Sequence, residues 1–368
     1  MGPEPDVGST TRVIRRVTTL VSAGAALIVA LVLAAGCGSG SSTGSSAATS
    51  ASPQITTVPP TKPRTAGSMS ALRTSDQLQA VIDVGDSPDW QTTDGHHNQW
   101  VSSADLKAIQ RIDRRHNTVT KTIRVGTSPC DGLAATGTIL WVVNCETGQV
   151  LELRDDGKLL HRIKARPVDD EGQIAGDDTG MWMTVQTDDL TKNQLIHIDA
   201  GSGKIDRRVP VPGGSVAIAR DPFGQLWVTN PANNTVTLFS PVGRVLRVSR
   251  VPDTPRFLAA SDNAAWVLSQ RDGVLSRVDM RTGKVTAIPL NVPGDGGSVA
   301  YGADQVWVSM PGTPLIEVNA DTYKVEERFH GVGGDYGDRI SYAGGSVWLS
   351  NHELNTVWRL NQDWARTN

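Results

Sequence analysis

The 368-residue chain has little of what marks most enzymes and nucleic-acid binders. It carries three cysteines and no C-x-x-C, which leaves no thiol-redox pair at the usual spacing. No H-E-x-x-H, G-x-S-x-G or P-loop is present, so the common zinc-protease, nucleophile-elbow and nucleotide signatures are missing. The formal net charge is −3, and no basic stripe interleaved with aromatics runs along the chain, which argues against nucleic acid. After residue 78 no segment shows a helical apolar period with caps. Phe and Tyr number four each, against ten Trp. That imbalance is the first positive signal.

The N-terminus reads as an export address. Arg12, Arg15 and Arg16 precede the uncharged run 17–36, and the small residues Ala34, Ala35 and Gly36 end it. Cys37 follows at once, in "LVLAAGCGSGSS". This junction resembles a bacterial lipobox, in which the Cys is diacylated and becomes the mature N-terminus, although Leu33 lies four places before the Cys instead of three. Simple cleavage and an uncleaved anchor are the alternatives, and all three readings place the body outside the cytoplasm. Arg15-Arg16 matches a twin-arginine signal poorly, so the export route stays open. The expectation is a signal peptide over 1–36, a lipidated Cys37 on the extracytoplasmic face of the cell membrane, and a Ser/Thr/Gly/Pro tether to residue 77. A tether of this composition buries too little to offset its entropy, and about 40 flexible residues span about 35 Å.

From residue 78 onward the sequence repeats. "QWVSS", "LWVVN", "MWMTV", "LWVTN", "AWVLS", "VWVSM" and "VWLSN" place Trp100, Trp141, Trp182, Trp227, Trp266, Trp307 and Trp348 at intervals of 39 to 45 residues. Each Trp is followed by a short strand closing on Asp or Asn at a polar turn, as in "IHIDAGSGKI" and "SRVDMRTGKV". The closing Asp113, Asp155, Asp199, Asp279, Asn319 and Asn361 are read as turn stabilisers and the seven Trp as core between units. Four short strands per unit of about 41 residues predict an all-β, seven-bladed β-propeller over 78–368. The seventh copy ends one strand short. The surplus strand "LQAVIDVGDSP" precedes the first copy, so the N-terminal strand is expected to close the last blade.

The "WVTN…ID…TGKV" rhythm resembles the YVTN and virginiamycin B lyase-like seven-bladed propellers, and the leader with its tether resembles those of actinobacterial, mycobacterial-type envelope lipoproteins. The resemblance covers residues 78–364. It implies the fold more firmly than any activity, because propellers host enzymes, receptors and scaffolds alike. The lyases hold a metal with His and Glu near the channel, and those positions do not carry over to this chain.

Cys130 and Cys145 bracket the first hairpin of the second unit, within disulfide reach in an oxidising compartment; two buried free thiols are the alternative. Chemistry is expected at the propeller face formed by the loops entering each first strand and the turns joining second to third strands. The entering loops supply Asp86, Asp89, Asp131, Asp169, Asp170, Glu171, Arg256, Asp295, Asp335, Asp338 and Arg339. The turns add Glu146, Asp188, Asp189, His352 and Glu353. Asp89, Asp131, Glu171, Arg256, Arg339 and His352 form the candidate ligand site at the channel mouth. The competing reading is that Asp and Gly occupy these turns for their backbone geometry. His96 and His97 fall on the opposite face. No cofactor is expected, although a divalent metal is compatible with the acidic loops. The expected partners are the membrane through Cys37 and an envelope protein, glycan or small ligand at the mouth of a monomeric propeller. A metal-dependent lyase or hydrolase is the alternative.

Overall fold

The computed structural model describes residues 55–60, 65–68, 77–169, 171–189, 191–330 and 339–361. Cys37 and the leader lie outside these residues, as do Asp170, Asp335 and Asp338. Seven antiparallel blades follow one another around an axis, and no helix occurs among the described residues. Blade 1 consists of Pro88–Thr93, Gln99–Ser103, Ala108–Asp113 and Thr118–Arg124. Blade 2 runs from Cys130–Thr136 to Leu159–Lys164, blade 3 from Ala175–Gly176 to Lys204–Pro212, and blade 4 from Ile218–Arg220 to Val245–Arg250. Blade 5 spans Pro255–Ala260 to Val285–Pro289, and blade 6 spans Ser298–Gly302 to Val325–His330. First strands of neighbouring blades lie beside one another around the axis, and fourth strands form the rim.

Burial explains this order. Gln99–Ser103 and Val-rich relatives such as Gln305–Met310 are buried at every position, as strands covered on both faces must be. Rim strands such as Thr118–Arg124 expose alternate residues. The seven repeat Trp are each at most 1% exposed. Trp141 of blade 2 shares a core cluster with Met181 and Ile196 of blade 3. Trp227 clusters with Val267 and Val278 of blade 5, and Trp307 with Val347 and Trp358 of blade 7. The last repeat, Trp348, clusters with Val101 and Ile112 of blade 1. Each ring therefore serves as mortar toward the next blade.

Closure follows the expected route. Leu78–Asp83 pairs antiparallel with Thr356–Asn361, so blade 7 takes three strands from the C-terminal end and its rim strand from the N-terminal end. The turns after Asp199, Asp279 and Asn319 behave as read, whereas in blade 2 Asp156 Oδ1 accepts the Lys158 N–H at 2.9 Å and Asp155 faces His96 instead. Asp199 Oδ1 accepts the Ser202 N–H at 2.9 Å, Asp279 Oδ1 that of Thr282 at 2.8 Å, and Asn319 Oδ1 that of Thr322 at 2.8 Å. Four residues after Asp199, Asp279 and Asn319 the backbone turns left-handed, at Gly203 (φ 63°), Gly283 (φ 72°) and, without the freedom of glycine, Tyr323 (φ 59°). Tyr323 lies near Trp266, ring centroids 6.3 Å apart, a contact glycine could not make.

The composition-based reading of 37–77 as wholly structureless tether needs correction at two places. Thr56–Thr57 adds parallel to Val285–Pro289, and Thr65–Ser68 adds parallel to Val325–His330, as fifth strands on the rims of blades 5 and 6. Rim strands present unpaired N–H and C=O groups, and a polar segment needs no apolar pattern to satisfy them. Composition therefore could not announce these strands.

Cys130 and Cys145 form a disulfide, Cα atoms 6.0 Å apart. Cys130 pairs in register with Val143, so the bridge closes the hairpin diagonally just beyond its last ladder pair. The link closes a loop of 15 residues, which corresponds to about 3 kcal/mol in the chain-entropy account. The Cys130→Ser/Cys145→Ser double variant should lose about 2–3 kcal/mol in urea unfolding. A variant equal to wild type would show that the hairpin needs no staple.

Candidate ligand site at the channel mouth

One position recurs at the entry to every blade, in the first strand or just before it, two residues before the partner of the repeat Trp. It holds Trp90, Gly132, Gln173, Ala217, Phe257, Ser298 and Arg339. Six of these, all but Ala217, line one cavity of about 230 Å³ on the axis. Contacts across the axis narrow the channel at this level. Gln173 donates from Nε2 to the Leu258 carbonyl of blade 5 at 3.0 Å, and Trp90 meets Phe257 edge to face with centroids 6.2 Å apart. The Arg339 guanidinium carbon lies 3.9 Å from the Trp90 ring centroid and 4.4 Å from that of Phe257. A cation held between two aromatic faces is attracted by both quadrupoles.

Above this floor the charged loops converge. Arg339 donates from Nε to Asp89 Oδ1 at 2.9 Å and from Nη1 to the Gly297 carbonyl at 2.8 Å, and its Nη2 lies 3.9 Å from Glu171 Oε2. Arg256 pairs with Asp169 at 2.5 Å and approaches Glu171 at 3.8 Å. His352 Nε2 is 3.5 Å from Asp89 Oδ1. Burial alone would raise the Asp89 carboxyl, but the Arg339 charge and the His352 contact outweigh it and hold the group below its ordinary value of 3.8. Asp89, Glu171, Arg256, Arg339 and His352 line a cavity of about 510 Å³ together with Asp295, Gln270 and Arg271.

Five of the six sequence candidates, Asp89, Glu171, Arg256, Arg339 and His352, thus meet at one cavity fed by blades 1, 3, 5 and 7. Asp131 is placed elsewhere. It is 3% exposed with φ 54°, and its Oδ1 occupies the space a Cβ on Gly172 would need, only 1.8 Å away. It packs under the loop of blade 3 instead of lining the cavity. Trp90 and Phe257, which hold Arg339, were missed because neither belongs to the Trp repeat. Counting two residues back from the partner of each repeat Trp would have found them.

Among the described residues, the mouth does not fit a divalent metal. Asp89 and Glu171 both face the Arg339 guanidinium, and a cation between them would have to displace a charge that is itself sandwiched by Trp90 and Phe257. Among the described residues the one cluster with ligand-like spacing is Asp94, His96 and Asp155, on the opposite face. Asp94 is already occupied there by the Trp100 Nε1–H (2.7 Å), the His96 and Asn98 backbone N–H groups (both 2.9 Å) and the Asn98 amide.

Fold and site together define a seven-bladed β-propeller with a polar, charge-paired mouth. Among solved structures it is similar to a streptogramin B lyase (16% identity, TM-score 0.62, covering 77% of this chain and 95% of that one). It is also similar to virginiamycin B lyase from Staphylococcus aureus (15%, 0.60, 77% and 98%). The Cps50 (Swd1) propeller domain of Myceliophteria thermophila aligns as well (10%, 0.63, 77% and 99%). Identities this low establish the fold. The sequence matches no protein-family model and no curated protein.

Proposed function

We propose that this chain is a lipid-anchored, extracytoplasmic binding module whose channel mouth takes a polar envelope ligand, a glycan or a segment of another envelope protein. The observation that carries the mouth reading is the convergence of Asp89, Glu171, Arg256, Arg339 and His352 from four blades on one cavity of about 510 Å³. Arg339 is buried and fully engaged, so it shapes the site, whereas Glu171 and Arg256 stand at the rim and offer one acceptor and one donor group to a ligand. Anchoring rests on the Cys37 junction with its apolar run and small residues.

The metal-dependent lyase or hydrolase alternative is disfavoured by the guanidinium standing where a cation would have to sit. A thermal-shift screen of the chain against oligosaccharides, short peptides and divalent metals separates the two readings. Stabilisation by a sugar or peptide that disappears in Arg256→Gln supports the binding module. A metal-induced rise, reversed by EDTA and lost in Asp89→Asn, would overturn it in favour of the enzyme. For the anchor, palmitate should label the wild type and leave Cys37→Ser unlabelled; equal labelling sinks that part.

A further inference from the structure

The face opposite the mouth, where first-to-second and third-to-fourth turns meet, gathers three arginines. Between blades 7 and 1 a cavity of about 620 Å³ is lined by His96, His97, Arg114, Arg115 and Arg359, with Asp113 as its one acidic residue. None of the three arginines forms an ion pair among the described residues.

Their fixed contacts are to neutral acceptors. Arg114 donates from Nη1 to the His97 carbonyl at 3.1 Å and from Nη2 to the Gly344 carbonyl at 2.9 Å, while its Nε is buried without a partner. Arg359 donates from Nε to Ser346 Oγ at 3.0 Å, and from Nη1 to the Arg114 carbonyl at 2.5 Å and Asn117 Oδ1 at 2.9 Å. Its guanidinium lies 5.0 Å from the Trp348 ring centroid. Asp113 does not compensate them, since its oxygens engage the Arg115 N–H at 2.7 Å and His116 at 3.0 Å. Burial, and then the Arg114 charge, push Arg359 below the usual guanidinium range.

Gly344 completes the arrangement. Its backbone is left-handed (φ 54°), and a Cβ there would fall 1.4 Å from Arg114 Nη2. Only glycine lets the guanidinium lie flat against this turn. Two guanidinium groups that line one cavity repel each other, and neutral acceptors orient them without neutralising them. Such a pair is preorganised for an external oxyanion, which accepts charge-assisted bonds from both forks.

We propose that Arg114 and Arg359, supported by Arg115, form an anion site for a phosphate ester on this face. The ester is either free in solution or the headgroup of an anionic lipid, and the two sources are separable. The site lies on the other side of the propeller from the mouth and stands independently of the function proposed for it.

The test uses the chain from Ala51 onward, because every described strand and every core cluster lies within it. Calorimetric titration with inorganic phosphate and with glycerol 3-phosphate, at constant ionic strength, reads the soluble source. Co-sedimentation with phosphatidylcholine vesicles, with and without phosphatidic acid, reads the headgroup. The expected result is saturable binding in at least one arm, weakened about tenfold or more by Arg114→Gln and by Arg359→Gln. Gly344→Ala should weaken it comparably with no change of charge. Should Arg359→Gln not fold, Arg115→Gln, whose exposed side chain bonds to nothing described, should still weaken binding about threefold. Soluble binding names a free ester, and vesicle-only binding names a lipid. No saturable binding in either arm, or equal binding by the Arg and Gly variants and wild type, would overturn the site.

Discussion

Replacing Arg339 with methionine is expected to remove about 3–5 kcal/mol of folding stability at pH 7, the largest loss of any single substitution at the mouth. Methionine keeps some of the volume between Trp90 and Phe257 but none of the hydrogen bonds. Asp89 would lose its 2.9 Å partner and the Gly297 carbonyl its 2.8 Å donor while both stay enclosed. The pH dependence identifies the cause. In the wild type Asp89 titrates below 3.8, so its contribution is fully present above that value and is lost as pH falls through the lower folded value. In the variant the carboxyl keeps His352 but loses the guanidinium, so it titrates higher than in the wild type and acidification relieves it. The gap between wild type and Arg339→Met should therefore narrow between pH 7 and pH 4 in urea unfolding. Adding Asp89→Asn should recover part of the loss at pH 7. A gap that is constant with pH would assign the effect to packing alone.

The second large effect is expected at His197, on the opposite side of blade 3. This imidazole is fully buried, with Nδ1 2.6 Å from Asp206 and Nε2 3.3 Å from Asp177, and its ring centroid lies 4.8 Å from that of Trp182. Burial alone would lower the value for His197, but the two carboxylates overcome it and raise the group above 6.5. Burial would likewise raise Asp177, yet His197 and the Thr179 donors hold it far below the usual carboxylate range.

The two signs oppose each other. The His197 contribution is complete below 6.5 and is lost as pH rises through its raised folded value. That of Asp177 is complete above 3.8 and is lost as pH falls. Together they give a plateau from about pH 4 to 6.5 with a falling alkaline limb. His197→Gln should cost about 2–3 kcal/mol on the plateau, moderated by the solvent that reaches Asp206, and should flatten the alkaline limb. Melting temperatures of both proteins from pH 5 to 9 check this. Parallel curves would mean that the histidine is neutral when folded.

Much of the architecture was legible before any coordinates. The period of Trp100 through Trp348 counts blades, the polar turns after Asp199 and Asp279 count strands, and the missing final strand points to "LQAVID" as the piece that closes the ring. The first two are local signals, because a blade is a meander whose strands follow one another in the chain, and the third follows from counting the strands that the last repeat lacks. The mouth was half legible. Loop position brought Asp89, Glu171, Arg256, Arg339 and His352 to one end, since turns of a given rank share a face.

What sequence alone determined is thus the number of blades, their closure, the hairpin that brings Cys130 to Cys145 and the face on which charged loops gather. Tertiary structure alone decided which charges meet. Arg339 finds Asp89 across 250 positions of sequence, Arg359 settles beside Arg114 across 245, and Thr56 and Thr65 find the rims of blades 5 and 6. Such pairings depend on the few ångströms by which each blade is placed around the ring. That placement is set by Trp packing between blades, a non-directional force that leaves no mark at the polar positions it brings together.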